Sequence, residues 1–278
     1  PMAAARSLSC SSNVWAMNDH VTSNAAPDDA WLLVSDVDDT LVGDDAGLDE
    51  LIERLERSDR LVVAANSSRP HESVMRTMAE LPRGFTPRAV ITALGTELYF
   101  DGSMIDAWQR RFEGFDRRPI DALAKELGLE PHGEEMQTPW KASYTLTGDP
   151  PLAEVLKRLE GLGLPLRTIV SHNDADLDVI PERAGKGAAT MELAQRLGVP
   201  VERVVVAGDS ANDVLMFDAV DKAIAVGNAR AELRRVADPS RTFFADRPCA
   251  GGIVEGLDHY GAPLVRPTVD REIPMTRE

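Results

Sequence analysis

Short apolar runs of strand length alternate with stretches of helical period along this chain, and that alternation admits few folds. Trp31-Leu32-Leu33-Val34, Leu61-Val62-Val63-Ala64-Ala65 and Ala89-Val90-Ile91-Thr92-Ala93-Leu94 read as buried strands. Between them, residues 47–57 place Leu48, Leu51, Ile52 and Leu55 on one helical face, and residues 71–81 form a second helix. The pattern returns late: a helix over 187–197, a strand over 203–207, a helix over Val214–Val220 and a strand over Lys222–Val226. A helix over 229–236, a short strand at Thr242-Phe243-Phe244 and a last helix over 250–259 complete it. Strand runs that are apolar throughout, separated by helices, indicate a parallel sheet covered on both faces: an α/β, Rossmann-like core.

The middle of the chain breaks the rhythm. A helical stretch over 118–128 precedes a strand at Lys141–Leu146, a helix over 151–162 and strands at Leu166–Val170 and Asp176–Ile180. This order describes a separate α/β module. The expected organisation is a core built from 30–100 and 184–265, with an inserted cap over 101–183. Residues 1–29 read as a tail with Met17 as a start, and 266–278 as a second tail.

Net charge limits the partners. At −16, the surface repels nucleic acid. An anionic substrate would be repelled at long range too, so it needs a local cation. No apolar run approaches the roughly 18 residues that span a bilayer, so no membrane partner is expected. Cys10 and Cys249 are too few for a disulfide framework or a metal cluster, which suits a cytoplasmic location.

Four short segments carry chemistry, each at a strand end or a helix start. Asp36-Val37-Asp38-Asp39-Thr40 follows the first strand, and its two leading acids, two apart, are expected to project to one side. Close carboxylates repel unless a cation joins them, and Mg²⁺ accepts one or two carboxylates plus phosphate oxygens. Asn66-Ser67-Ser68-Arg69 offers a hydroxyl and NH groups after the second strand. Lys186 sits between Gly185 and Gly187 at a helix start, where phosphate oxygens bind. Gly208-Asp209-Ser210-Ala211-Asn212-Asp213 places two more acids after the strand at 203–207. Taken singly, each also reads as a helix cap or a surface charge.

Their joint order over residues 30–265 resembles the haloacid dehalogenase superfamily. The resemblance implies Asp36 as nucleophile, Asp38 as general acid/base, Ser67 as the hydroxyl of the second motif, and Lys186 as the stabiliser of the anionic intermediate. It implies Mg²⁺ held by the Asp36 carboxylate, the Asp38 main-chain carbonyl and Asp209, with Asp213 as a further metal-site acid. Longer segments narrow the match. Leu33–Asp44, Gly95-Thr96-Glu97-Leu98-Tyr99, Pro139-Trp140-Lys141-Ala142-Ser143-Tyr144, Asp176-Leu177-Asp178-Val179-Ile180-Pro181 and Gly208–Asp213 are similar to the bacterial sucrose-phosphate phosphatase group. That group includes mannosylfructose-phosphate phosphatases, and its inserted cap is of the C2 type.

The implied activity is hydrolysis of a disaccharide phosphate through an aspartyl-phosphate, with a sugar-phosphate synthase acting upstream. A sugar phosphomutase on the same scaffold, and a phosphatase of other sugar phosphates, are the alternatives. Trp140, Lys141, Tyr144, His172, Asn173, Asp176 and Asp178 are candidate sugar contacts in the cap. Ser68, Arg69 and Asn212 are candidates beside the phosphate. Ser68 stands where the family usually has Gly, and Asn66-Ser67 looks closer to the mannosylfructose branch.

Overall fold

The computed structural model describes residues 29–171 and 175–264. Expectations for the tails and for His172 and Asn173 lie outside the described residues.

The strands, in chain order, are β1 (Trp31–Asp36), β2 (Leu61–Asn66), β3 (Ala89–Thr92), β4 (Glu97–Phe100), β5 (Ser103–Met104), β6 (Glu130–Pro131), β7 (Ala142–Thr145), β8 (Leu166–Ser171), β9 (Asp176–Pro181), β10 (Val204–Gly208), β11 (Ala223–Ala225) and β12 (Thr242–Phe244). The helices are α1 (Asp45–Glu56), α2 (His71–Ala79), α3 (Asp106–Gln109), α4 (Arg118–Glu126), α5 (Leu152–Glu160), α6 (Lys186–Leu197), α7 (Val214–Phe217), α8 (Ala231–Val236) and α9 (Cys249–Tyr260).

Among the described residues the large sheet has eight strands in the order β12-β11-β10-β1-β2-β3-β4-β5. From β12 to β3 neighbouring strands are parallel, and β4 and β5 join antiparallel. Leu32, Leu33 and Val34 are all fully buried, because helices cover both faces, and this explains why β1 reads as a continuous apolar run. The chain builds outward from β1 to β2 and β3 on one side, then returns to place β10 on the other. A crevice opens between β1 and β10 at their carboxyl ends, where such sheets bind ligands.

A second sheet of four strands, β6-β7-β9-β8, is antiparallel. Helices α4 and α5 cover one face of it. Ile120, Leu123, Val155, Leu159, Ala142, Tyr144, Leu177 and Val179 make a separate apolar cluster there. Ile169 and Ile180 belong instead to the core's cluster, so the other face of this small sheet looks toward the large one.

Several boundaries differ from the sequence reading. The cap was expected from residue 101, but β5 pairs with β4 in the large sheet and Trp108 and Phe112 join the core's apolar cluster, so the core runs past residue 100. The expected strand Ala89–Leu94 stops at Thr92, and the chain turns through left-handed Ala93 and Leu94 into β4. The expected helix Val214–Val220 keeps helical form only to Phe217; Ala219 and Val220 donate back three residues, to Met216 and Phe217, which tightens and ends the coil. No helix of the described residues is long and apolar enough to cross a membrane.

Candidate active site

Asp36 is the last residue of β1 and Asp209 follows β10, so both carboxylates stand at the crevice. Lys186 opens α6 and Asp213 closes the turn after Asp209. Carboxylate oxygens of Asp36, Asp209 and Asp213 lie within 4.8 Å of one another, and all three residues and Lys186 are buried.

The Lys186 ammonium donates to Asp36 Oδ1, to Asp213 Oδ1 at 2.6 Å and to Asn212 Oδ1 at 2.8 Å. Asp213 Oδ2 accepts from the main-chain N–H groups of Asp209 at 3.0 Å and Ser210 at 3.1 Å. Both Asp213 oxygens are thus committed within the protein.

Three carboxylates face one ammonium here, and their proton affinities reflect it. Burial pushes the Asp36 carboxyl well above its ordinary range; Lys186 pulls it back, and Asp213 and Asp209 raise it further. Asp209 is pushed up to about 6, first by burial and then by Asp213, against the pull of Lys186 and Arg230. Burial pulls the Lys186 ammonium down, but Asp213 and Asp36 outweigh it and raise it.

Asp38 does not join the cluster. The chain leaves the strand at Val37, so period-two alternation no longer applies. Its carboxylate is more than half exposed and pairs with Arg69 Nε at 2.9 Å. Ser67 is buried, directly after Asn66, which pairs with Asp36 across the ladder. Its hydroxyl accepts from the Arg69 N–H at 3.1 Å. Asn66 Nδ2 reaches the Lys186 carbonyl at 3.3 Å, joining the second segment to the third. Ser68 is half-buried beside Arg69.

Strand parity sorts the cap candidates. Ser143 pairs with Asp178, and Thr145 with Asp176. Alternation therefore puts Lys141, Ser143, Asp176 and Asp178 on the core-facing side with Ile180, and Tyr144 on the opposite side. Tyr144 is buried in the cap cluster and its hydroxyl donates to Asp121 Oδ1 at 2.5 Å. The buried Lys141 ammonium lies 3.1 Å from Asp178 Oδ1, which also accepts from Ser143 Oγ at 2.5 Å. Asp176 lies 3.3 Å from His132 Nε2. Trp140 is half-buried and packs against the core's apolar cluster. Strand β8 runs against the Ala211–Asp213 turn, which brings the cap to the edge of the acidic cluster. A cavity of about 290 Å³ at the chain crossings, lined in part by Phe112, Phe115, Pro165 and Pro181, contains none of the site aspartates and is a different place.

Sequence reasoning missed two residues. Arg230 Nε lies 3.5 Å from Asp209 Oδ2, and its Nη2 lies 3.7 Å from Asp39 Oδ2. Asn228 Nδ2 donates to the Asp39 carbonyl at 2.7 Å, while its Oδ1 accepts the Cys249 N–H at 2.8 Å. Their signal was positional: Gly227-Asn228-Ala229-Arg230 follows the end of another parallel strand, β11, at the same edge of the sheet.

Three comparisons bear on this geometry. The family model described as sucrose-6F-phosphate phosphohydrolase matches residues 29–261. Mannosylfructose-phosphate phosphatase of Agrobacterium fabrum is 31% identical over 241 residues, covering 83% of this chain and 96% of that protein. Sucrose-phosphatase 1 of Nicotiana tabacum is 29% identical over 82% of this chain, which spans 59% of the tobacco protein's length. Among solved structures, the sucrose-phosphatase of Synechocystis in complex with sucrose and phosphate superposes with a TM-score of 0.77 at 31% identity, covering 83% of this chain and 98% of that one. A haloacid dehalogenase subclass IIB sugar phosphatase, 16% identical with a TM-score of 0.66, shares the fold.

Proposed function

The chain belongs to the sucrose-6F-phosphate phosphohydrolase family, whose members are phosphoric monoester hydrolases, and from that premise we propose that it hydrolyses a disaccharide phosphate through transient phosphorylation of Asp36. The observation that carries this reading is the convergence of Asp36, Lys186, Asp209 and Asp213, from three distant stretches of sequence, on one buried point at the sheet's switch.

The donors around that point fit Mg²⁺. They are carboxylate oxygens, and burial together with the neighbouring carboxylates raises Asp36 and Asp209, a cost that a bound cation would offset. Asp36 and Asp209, with the Asp38 main-chain carbonyl, would hold the ion. Asp213, with both oxygens committed, supports the site by holding Lys186 and the turn. Bound there, the ion supplies charge that offsets the phosphoryl oxygens.

The chain's own residues do the rest. An Asp36 carboxylate oxygen attacks phosphorus in line and displaces the sugar oxygen. Lys186 neutralises the anionic phosphoryl group as charge builds. Asp38, at the exposed rim, protonates the leaving alkoxide. It then takes a proton from the water that attacks the aspartyl phosphate, returning Asp36 and releasing orthophosphate. Ser67 and the N–H groups beside it, with Ser68, Arg69 and Asn212, orient the phosphate. The core-facing cap residues Lys141, Asp176 and Asp178, with Trp140, contact the sugar, and the cap excludes water. A small-molecule sugar phosphate is the partner, a sugar-phosphate synthase supplies it, and the setting is cytoplasmic.

The test is orthophosphate release with Mg²⁺ from sucrose 6-phosphate, mannosylfructose phosphate, trehalose phosphate and hexose phosphates. Preference for one of the first two supports the proposal. Isomerised hexose phosphate without orthophosphate would make the protein a mutase, and no release from any of them would end the reading.

A further inference from the structure

The turn Ala93–Leu94–Gly95 touches two parts of the site that are far apart in sequence. It follows β3 in the left-handed region, with φ of 49°, 59° and 83° at its three residues. Alanine and leucine rarely sit there, and both are fully buried. The turn's amides explain its persistence. The Ala93 N–H donates to the Arg69 carbonyl at 2.8 Å and the Leu94 N–H to the Ser67 carbonyl at 3.2 Å. The second-motif loop is therefore clasped from behind by main-chain bonds that no side-chain substitution removes.

On its other side the turn meets the start of α6. A Cβ on Gly95 would lie 2.3 Å from the Gly185 carbonyl oxygen and 2.8 Å from the Lys186 nitrogen. The two backbones touch. Residues of α3 hold the turn in place: Trp108 Nε1 donates to the Gly95 carbonyl at 3.0 Å and Gln109 Nε2 to the Thr96 carbonyl at 3.2 Å.

We propose that this turn is a positioning element that sets the separation between the Ser67–Arg69 loop and Lys186, with Gly95 as the residue that allows the contact. It rests on the functional reading above, in which those two groups grip the same phosphate. A spacer between them acts on the geometry of phosphoryl transfer, and it touches neither the sugar nor the bound phosphate. Such a misplacement lowers kcat and leaves KM nearly unchanged.

Gly102 supplies a control. Its φ is +78°, close to that of Gly95, but a Cβ there meets nothing within 4 Å. Gly95→Ala and Gly102→Ala therefore carry a similar backbone penalty, and only the first pushes on Lys186. Steady-state kinetics on the best sugar phosphate should show kcat lower by about a hundredfold in Gly95→Ala, with KM within about threefold of wild type. Gly102→Ala should keep kcat within about twofold while losing only the thermal stability that the left-handed backbone costs an alanine, since no overlap is added there. Should Gly95→Ala fail to fold, Trp108→Phe removes the indole donor and should lower kcat about three- to tenfold with KM held. The inference is overturned by wild-type kcat in Gly95→Ala, by an equal loss of kcat in Gly102→Ala, or by unchanged kinetics in Trp108→Phe when that variant stands in. Absence of Mg²⁺-dependent phosphate release from the wild-type protein would bring down the functional reading and this inference together.

Discussion

Lys186 Nζ lies 2.6 Å from Asp213 Oδ1, and neither side chain has any exposed surface. The same ammonium serves Asp36, so a single cation holds two buried carboxylates, the proposed nucleophile and the residue that closes the turn after Asp209. Removing it leaves both without compensation, a far larger cost than losing a surface ion pair. Lys186→Met should lower the stability of the metal-free protein by about 3–5 kcal/mol, and added Mg²⁺ should recover part of it. Urea unfolding with and without the ion measures both effects; an unchanged midpoint in the metal-free variant would contradict the assignment.

Asp36→Asn keeps the volume and one acceptor for Lys186 but removes the carboxylate proposed to attack phosphorus. Turnover should fall at least about a thousandfold with a cooperative unfolding transition retained. Phosphate release near the wild-type rate in that variant would sink the aspartyl-phosphate route.

Asp36 and Asp209 hold their protons more tightly in the folded protein than in the unfolded chain, Asp209 up to about 6. Between the ordinary carboxylate range and about pH 6 the folded state therefore binds more protons, and their contribution to stability falls as pH rises through that window. Lys186, Asp213, Arg230 and Asp39 are the charges facing these groups, and Mg²⁺ competes with the same protons. The stabilisation given by Mg²⁺ should grow from about pH 4 to about pH 7, and Asp209→Asn should flatten that slope. Thermal melts across the range, with and without the ion, decide it; a slope unaffected by Asp209→Asn would count against it.

Arg230 is a second cation acting on Asp209 besides Lys186, and it is more than one-third exposed. Arg230→Ala should raise the Asp209 carboxyl further and lower metal-free stability by no more than about 1 kcal/mol. The gain in Tm on adding Mg²⁺ should be larger than in the wild type, since the ion then replaces a missing charge. Equal gains in both proteins would refute a link between Arg230 and the acidic cluster.

Parity in the cap sheet separates two neighbouring candidates. Asp178→Asn should raise KM for the sugar phosphate by about tenfold, because its carboxylate stands on the core-facing side. Tyr144→Phe should leave KM within about twofold and lower stability instead, because its hydroxyl is spent on Asp121. The reverse pattern in the two KM values would show that the face assignment is wrong.

Much of this is legible in the sequence. Asp36, Lys186, Asp209 and Asp213 stand where apolar runs end just ahead of acids and where glycines flank a lysine, and it is their joint order along the chain, not any one segment, that singles them out. Arg230 and Asn228 carried no such mark. They follow a three-residue strand, and their partners Asp209 and Asp39 come from other stretches of chain. The cap strand Ala142–Thr145 mixes polar and apolar residues without saying which face is covered; the register against β9 had to decide that.

Local chemistry was enough to establish a covered parallel sheet with acids at its strand ends, because burial and period act over a few residues at a time. Tertiary structure alone decided that Asp38 swings out to Arg69 while Asp213 turns in to Lys186, and that a left-handed turn could lodge against Gly185. Those outcomes depend on which backbones come within contact distance, and such distances are set by strand order and by packing between segments remote in sequence.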